Sequence, residues 1–183
     1  RHTFSTACSS SANSIGYAAS LVAAGAPWAL AGGVDSLCRL TYSGFHSLKL
    51  LSAAPCRPFD ARRNGLSLGE GAAFLLIEPL ARARSRGARV LGYLAGWGTS
   101  ADAHHATAPH PEGKGAIAAM QAALADAGVS AGEVSYVNAH GTATLANDKA
   151  EALALKAVFG AASPPVSSTK GATGHTLGAA GAI

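Results

Sequence analysis

Apolar residues fall along this chain in short blocks, and the blocks alternate between two spacings. The opening Arg1-His-Thr-Phe-Ser-Thr-Ala-Cys8 contains the β-formers Thr3, Phe4 and Thr6. Ala12, Ile15, Ala19 and Leu21-Val22 then recur at helical intervals as far as Gly25. Residues 28–34 read as a buried strand, 42–51 as a helical stretch, and 71–77 as the continuous apolar run of a central strand. A surface helix is predicted over 79–87 and a further strand over 90–97. Residues 113–128 place Ile117, Met120 and Leu124 on one helical face and stop at Gly128. A strand over 134–137, a helix over 145–159 and a last strand over 166–169 complete the pattern, and the tail to Ile183 reads as the middle of a helix. Alternating strands and helices predict an α/β layered fold. A composition change near 79–89 divides it into 1–80 and 81–183.

Composition adds limits to this picture. Among 183 residues, 49% are hydrophobic, 13% are charged and 22 are glycine, which suits closely packed buried elements better than a solvated bundle. No formal charge occurs between Thr3 and Val34, long enough to mimic a membrane span. Gly25, Pro27, Gly32 and Gly33 interrupt that stretch, so it reads as a buried helix and strand, and no membrane partner is expected. The net charge of +4 resides largely in Arg57, Arg62, Arg63, Arg82, Arg84, Arg86 and Arg89. No aromatic residues interleave the second group and no Cys/His zinc spacing accompanies it, so nucleic-acid binding has no support. That run is either a solvated helix face or a surface for an acidic protein. Three cysteines without framework spacing indicate a reducing compartment, hence the cytoplasm. The chain starts at Arg1 without an initiator Met or signal-peptide pattern, and both ends read as cut.

Three residues stand out chemically. Cys8 precedes a helical pattern, where unpaired N–H groups and the positive helix end lower a thiol's pKa. The simpler reading of a lone cysteine is a small buried hydrophobe. His140 lies in Asn138-Ala-His-Gly-Thr142-Ala-Thr144, and His175 follows Thr173-Gly beside Lys170. Each of the three sits where a short strand runs into a small-residue turn. A cysteine nucleophile needs a group to handle its proton, and a thioester carbonyl needs donors aimed at the developing oxyanion. Neutral imidazoles supply such donors. His104, His105 and His110 with Glu112 lack regular ligand spacing and a cysteine, so they read as a loop and not a metal centre. Cys38 and Cys56 read as inert. There is no Walker loop, nucleophile elbow or dinucleotide fingerprint.

At these positions the chain resembles the elongating β-ketoacyl-acyl-carrier-protein synthases of type II fatty acid synthesis, in the thiolase superfamily. The resemblance rests on Thr6-Ala-Cys8-Ser-Ser-Ser, Asn138-Ala-His140-Gly-Thr-Ala-Thr and Ser168-Thr-Lys170-Gly-Ala-Thr-Gly-His175-Thr-Leu-Gly-Ala-Ala-Gly, in that order. Arg57-Pro-Phe-Asp, Leu68-Gly-Glu-Gly-Ala and the Asp148/Glu151 pair also fit. The resemblance implies a thiolase-like fold, a layered α-β-α-β-α sandwich incomplete here, with 1–80 ending its N-terminal half and 81–183 beginning its C-terminal half. It implies that Cys8 is acylated from a carrier-protein thioester. His140 and His175 then hydrogen-bond a malonyl thioester as carbon dioxide leaves, and the carbanion attacks acyl-Cys8. Lys170 would hold His175 and its charge network, or else cap a strand or pair with Glu151. Thr142 and Thr144 would hydrogen-bond the pantetheine arm, or else serve as N-caps. Phe45 would line the acyl pocket and Lys49 meet the acidic acyl carrier protein. Asp148 and Glu151 stay open between a surface pair and a place near the active site.

The same resemblance implies no cofactor beyond the phosphopantetheine of the carrier protein, and a homodimer or ketosynthase heterodimer. Alternatives are a polyketide or aryl-polyene ketosynthase subunit, a silent chain-length partner, and a thiolase or acyltransferase. Cys8 disfavours the silent partner, and the paired His motifs with Lys170 disfavour thiolase. Family members are roughly twice this length, with a gating Phe, a Gly-rich loop and a Glu beyond Ile183. A piece of this size would expose unpaired sheet edges.

Overall fold

The helix following Cys8 forms as its apolar spacing dictates. A 3-10 turn over Ala7–Ser9 leads directly into helix α1 (Ser10–Ala23), whose buried face carries Ser11, Ile15, Gly16 and Ala18. The computed structural model describes residues 1–183, the side chain of Ala162 apart. The chain divides into two units, one formed by Arg1–Ser36, Glu70–Ala95 and Thr176–Ile183, the other by Leu37–Gly69 and Gly96–His175.

In the first unit α1 lies on strand β1 (Ala29–Asp35), which pairs antiparallel with strand β2 (Gly71–Ile77) in the register Ala29 with Ile77 through Asp35 with Gly71. Both strands fall where the apolar runs predict them. Small side chains allow close contact: the Ser14 hydroxyl accepts the Gly32 N–H at 3.0 Å and donates to its carbonyl at 3.1 Å. Ile15, Ala18 and Ala31 form a core joined by Ala29, Ile77 and Ala182. The opposite face of the two-stranded sheet leaves Leu30, Val34, Phe74 and Leu76 between 46% and 65% exposed, so β2 is not enclosed as its run of apolar residues suggests. The basic segment forms helix α3 (Leu80–Ser85). Arg82 and Arg86 both pair with Glu78, and the Arg86 hydrogen bond holds that carboxyl below its usual range. Two of the four arginines in the run thus share one carboxylate, which offsets a single positive charge.

Three expectations fail in this unit. Residues 1–6 form no strand. Residues 90–95 form none either, and Leu91 and Tyr93 stay more than 70% exposed, because β propensity without a neighbouring ladder leaves the backbone unpaired. The Gly/Ala tail is not the middle of a helix but a 3-10 turn, Leu177–Ala179. Side chains capture its donors: Asp35 accepts the Gly178 N–H and Ser11 the Gly181 N–H, in place of an i→i−4 ladder.

The second unit holds helices α2 (Arg39–Ser47), α4 (Lys114–Ala127) and α5 (Leu145–Phe159), with short strands β3 (Val137–Asn138) and β4 (Val166–Ser167) paired parallel. Helices α4 and α5 match their predicted spans closely. The two strands shrink to two residues each. Gly96 and Gly98 lie against α4, and the Trp97 N–H donates to Asp126, so the end of the predicted 90–97 strand serves as helix-facing chain. Cys38 has a structural place: its sulfur accepts the Thr41 N–H as N-cap of α2. Among the described residues no helix is long and apolar enough to cross a membrane.

Helix α2 ends in a paired C-terminal motif: the Leu50 N–H reaches the Phe45 carbonyl and the Lys49 N–H that of His46. Helices α3 and α4 close the same way with Gly87 and Gly128 in the left-handed region. Lys49 occupies that conformation with φ 56, where a Cβ costs about 1 kcal/mol. Lys49→Gly is therefore expected to raise stability by about 1 kcal/mol. An unchanged or lowered denaturant midpoint would contradict the strain assigned here.

Candidate active site

Around Cys8 the backbone turns sharply: Ala7 has φ 53, an uncommon value for a residue with a Cβ. Hydroxyls fix the turn. Thr6 N–H donates to Ser10 Oγ at 2.9 Å, Ser10 Oγ donates to the Ala7 carbonyl at 2.7 Å, and Ser9 Oγ donates to the Thr6 carbonyl at 2.8 Å. Asn13 Nδ2 donates to Thr6 Oγ1. Cys8, half-buried, thus stands just ahead of α1, where the helix end favours an anion. Ser9 and Ser10, read in the sequence only as small residues, are the scaffold of this bend.

In the second unit His140 and His175 meet edge to face, with ring centroids 5.2 Å apart and planes at 83°. They arrive by different routes. His140 follows β3 and precedes α5, as the recurring strand-to-turn pattern predicts. His175 instead follows the short helix α6 (Lys170–Thr173) and Gly174. Its backbone bridges residues 67–69: the His175 N–H donates to Ser67 at 2.7 Å and its carbonyl accepts from Gly69 at 3.0 Å. Gly174 has φ 70, and a Cβ there would stand 2.9 Å from the Leu68 carbonyl oxygen, so glycine is needed to deliver the ring.

Both imidazoles are neutral bases in this setting. Burial first, then the Lys170 charge, lowers His140 to about 4 against an opposing effect of Asp148. Burial, then His140 and Lys170, lowers His175 to about 3. His175 is 1% exposed and Lys170 5%. Lys170 is also held by its backbone, whose carbonyl accepts the Cys56 thiol at 3.0 Å and whose N–H donates to Ser168 Oγ. Buried Cys56 thus has a role that its isolated position in the sequence did not reveal. Ser168 Oγ donates to the Gly141 carbonyl at 3.0 Å, joining the two histidine motifs.

Asp148 and Glu151 are not a surface pair. Glu151 accepts the N–H groups of His140 at 2.6 Å and Gly141 at 2.8 Å, and burial raises its carboxyl above the usual value. Asp148 is fully buried. Thr144 occupies the N-cap of α5 but makes no side-chain cap bond, and its hydroxyl lies 2.9 Å from that of Thr142. Both threonines are buried. Phe45 is half-buried on α2, and exposed Lys49 lines an open concavity with His46, Ser47 and Leu51. In the histidine loop, His105 and His110 accept backbone N–H groups through Nδ1, and Asp102 accepts those of His110 and Gly115. These groups stabilise turns.

The depressed histidine values have a thermodynamic consequence. As pH falls below about 6.5 the unfolded chain gains protons while the folded rings stay neutral to about 4 and about 3. Stability present above about 6.5 is therefore lost progressively through that acid window, by about 3 kcal/mol for His140 alone. Glu151 acts oppositely, because its raised carboxyl loses stability as pH rises above the unfolded carboxyl value. Urea melts from pH 4 to 8 should show a shallower acid slope in His140→Gln. An identical slope would refute the neutral His140 ring.

Comparison with known proteins agrees with this architecture. The family profile "Beta-ketoacyl synthase, N-terminal domain" matches residues 1–83 and "Beta-ketoacyl synthase, C-terminal domain" residues 91–183. The 3-oxoacyl-[acyl-carrier-protein] synthase 2 of Rhizobium meliloti (strain 1021) is 45% identical over 100% of this chain and 46% of its own length. The ketosynthase ApeO in complex with its chain length factor ApeC from Xenorhabdus doucetiae matches with a TM-score of 0.88 and 45% identity, over 98% of this chain and 43% of that one. The type II polyketide ketosynthase AntDE, solved with its acyl-carrier protein AntF, gives a TM-score of 0.94 at 34% identity over 98% of this chain and 47% of that one. The chain thus spans about half the length of the curated relatives it matches. With both family domains matched in order and solved ketosynthases superposing closely, the chain belongs to the β-ketoacyl synthase family and has its thiolase-like α/β fold.

Proposed function

We propose that this chain supplies the reacting groups of a decarboxylative condensation that makes a 3-oxoacyl-acyl-carrier-protein. The observation that carries the reading is the edge-to-face pair of neutral imidazoles, buried His175 and half-buried His140, beside Lys170. Cys8 sulfur attacks an acyl thioester, the carbon–sulfur bond breaks, and the pantetheine thiol leaves with the proton. A malonyl thioester then replaces it. Cleavage of its carboxyl bond releases carbon dioxide and puts the electron pair into an enolate, whose oxygen accepts hydrogen bonds from the two imidazole N–H groups. The carbanion attacks the acyl-Cys8 carbonyl, and the thiolate departs as the two-carbon-longer product forms.

Neutral rings suit this role, because they donate without surrendering a proton that would quench the carbanion. Buried Lys170 disfavours protonation of either ring. In this reading Thr142 and Thr144 meet the pantetheine arm, Phe45 lines the acyl pocket and Lys49 meets an acidic acyl carrier protein. No cofactor beyond the carrier's phosphopantetheine is invoked. The working state is a dimer in the cytoplasm, with itself or with a second ketosynthase-like subunit. The likeness to ApeO favours one second reading, the same chemistry on a polyketide or aryl-polyene chain with a chain-length partner.

The test uses the longest form its reading frame encodes, incubated with acyl-carrier protein and then malonyl-carrier protein. Intact mass should show acylation on Cys8, followed by malonyl-dependent elongation. Acylation without elongation would leave an acyltransferase, and absence of any adduct would leave a silent partner subunit.

A further inference from the structure

Two strained backbone donors, an amide and a cation converge on one carboxylate that the proposed reaction does not use. Asp148 is 1% exposed, in the first turn of α5. Its Oδ2 accepts the Phe59 N–H at 2.7 Å, and its Oδ1 accepts the Ala143 N–H at 3.0 Å and the Asn147 amide at 3.2 Å. Phe59 and Ala143 are both non-glycine residues in the left-handed region, with φ 62 and 65. Each such position costs about 1 kcal/mol or more and persists only where surrounding contacts enforce it. Arg63 Nε lies 3.5 Å from Oδ2, paired by charge without hydrogen-bond alignment. The guanidinium is anchored elsewhere: Nη1 donates to the Asp60 carbonyl and Nη2 to that of Leu145. The Gly65 N–H donates to Ala143 at 3.1 Å.

We propose that Arg63 and Asp148 are a positioning pair that locks the 57–65 loop to the 140–144 turn and so holds His140 against His175. The assignment rests on the reading above for its catalytic consequence. Its geometry stands apart from that reading. Asp148 and Glu151 are one helical turn apart on α5, and together they hold four backbone N–H groups, those of Phe59, His140, Gly141 and Ala143. The two strained donors meet different oxygens of Asp148, so an amide in its place would turn an NH2 donor toward one of them. Arg63 balances the buried charge and ties it to the loop. With only Gly141 and Thr142 between Ala143 and His140, slack at the clip passes directly to that ring.

The experiment compares Arg63→Met, Arg63→Lys and Asp148→Asn with the unmodified protein in its longest encoded form. Measured quantities are the rate of Cys8 acylation by intact mass, the rate of carbon dioxide release from a malonyl thioester, and the His140 ring resonances by NMR. Positioning predicts displaced His140 signals in Arg63→Met and Asp148→Asn, with carbon dioxide release at least about 10-fold slower and acylation within about 3-fold. Arg63→Lys keeps the charge but not the fork and should recover part of the loss. Equal losses in both steps, with unshifted ring signals in the folded variants, would overturn the proposal and leave the pair a stability element. Should Asp148→Asn not fold, the two Arg63 variants decide it. Absence of carbon dioxide release in the unmodified protein would defeat the condensing reading instead, while the ring signals still decide the positioning claim.

Discussion

Cys8→Ala is expected to abolish acyl-enzyme formation and to lower condensation by at least about 10⁴-fold, the scale found when a covalent nucleophile is removed. No neighbouring group replaces it, since Ser9 and Ser10 hydroxyls are already committed to the carbonyls of Thr6 and Ala7. A serine hydroxyl is also a far weaker nucleophile than a thiolate near neutral pH. The fold should survive, because Cys8 is only half-buried in a turn that Thr6, Ser10 and Asn13 hold together. Intact mass after exposure to an acyl thioester reads the result directly. An adduct persisting in Cys8→Ala would move the nucleophile elsewhere and remove the basis of the mechanism.

The second large effect should fall on the other half-reaction. His175→Ala removes one of the two donors proposed for the enolate, which predicts a loss of about 10²- to 10³-fold in carbon dioxide release. Acylation of Cys8 should continue at a comparable rate, so the two steps separate. His175→Gln restores a neutral N–H and should recover part of the loss, which a proton-donating acid would not allow. The pH profile distinguishes the roles further. With both rings neutral down to about 4 and about 3, release should hold its rate between pH 7 and 5 and fall only below that. Activity that rises as a group near 6.5 gains its proton would mean that a charged imidazole does the work. His175 is buried against His140, so a melting curve must accompany each variant to show that the fold remains.

The sequence by itself determined the parts whose physics is local. Helices α1, α4 and α5 follow apolar spacing and glycine stops, because those signals act within a few residues of one another. The span of β2 is legible for the same reason, as an unbroken apolar run flanked by polar turns. Cys8, His140 and His175 stood out because each reactive group lies among small residues in a recognisable motif.

What the sequence could not show depends on partners distant along the chain. Residues 90–97 have the composition of a strand, yet form none, since a ladder requires a neighbour that composition does not specify. The Gly/Ala tail has helical spacing, but Asp35 and Ser11 take its N–H groups from more than a hundred residues away. Asp148 and Glu151 have the helical spacing of a solvated charge pair. Tertiary structure buried Asp148, half-buried Glu151 and turned both toward the His140 turn, whose backbone N–H groups they accept. Arg63 and Cys56 acquire their roles in the same way, through contacts with residues 82 and 114 positions further along the chain. Local pattern set which groups could react, and long-range burial decided which charges they would meet.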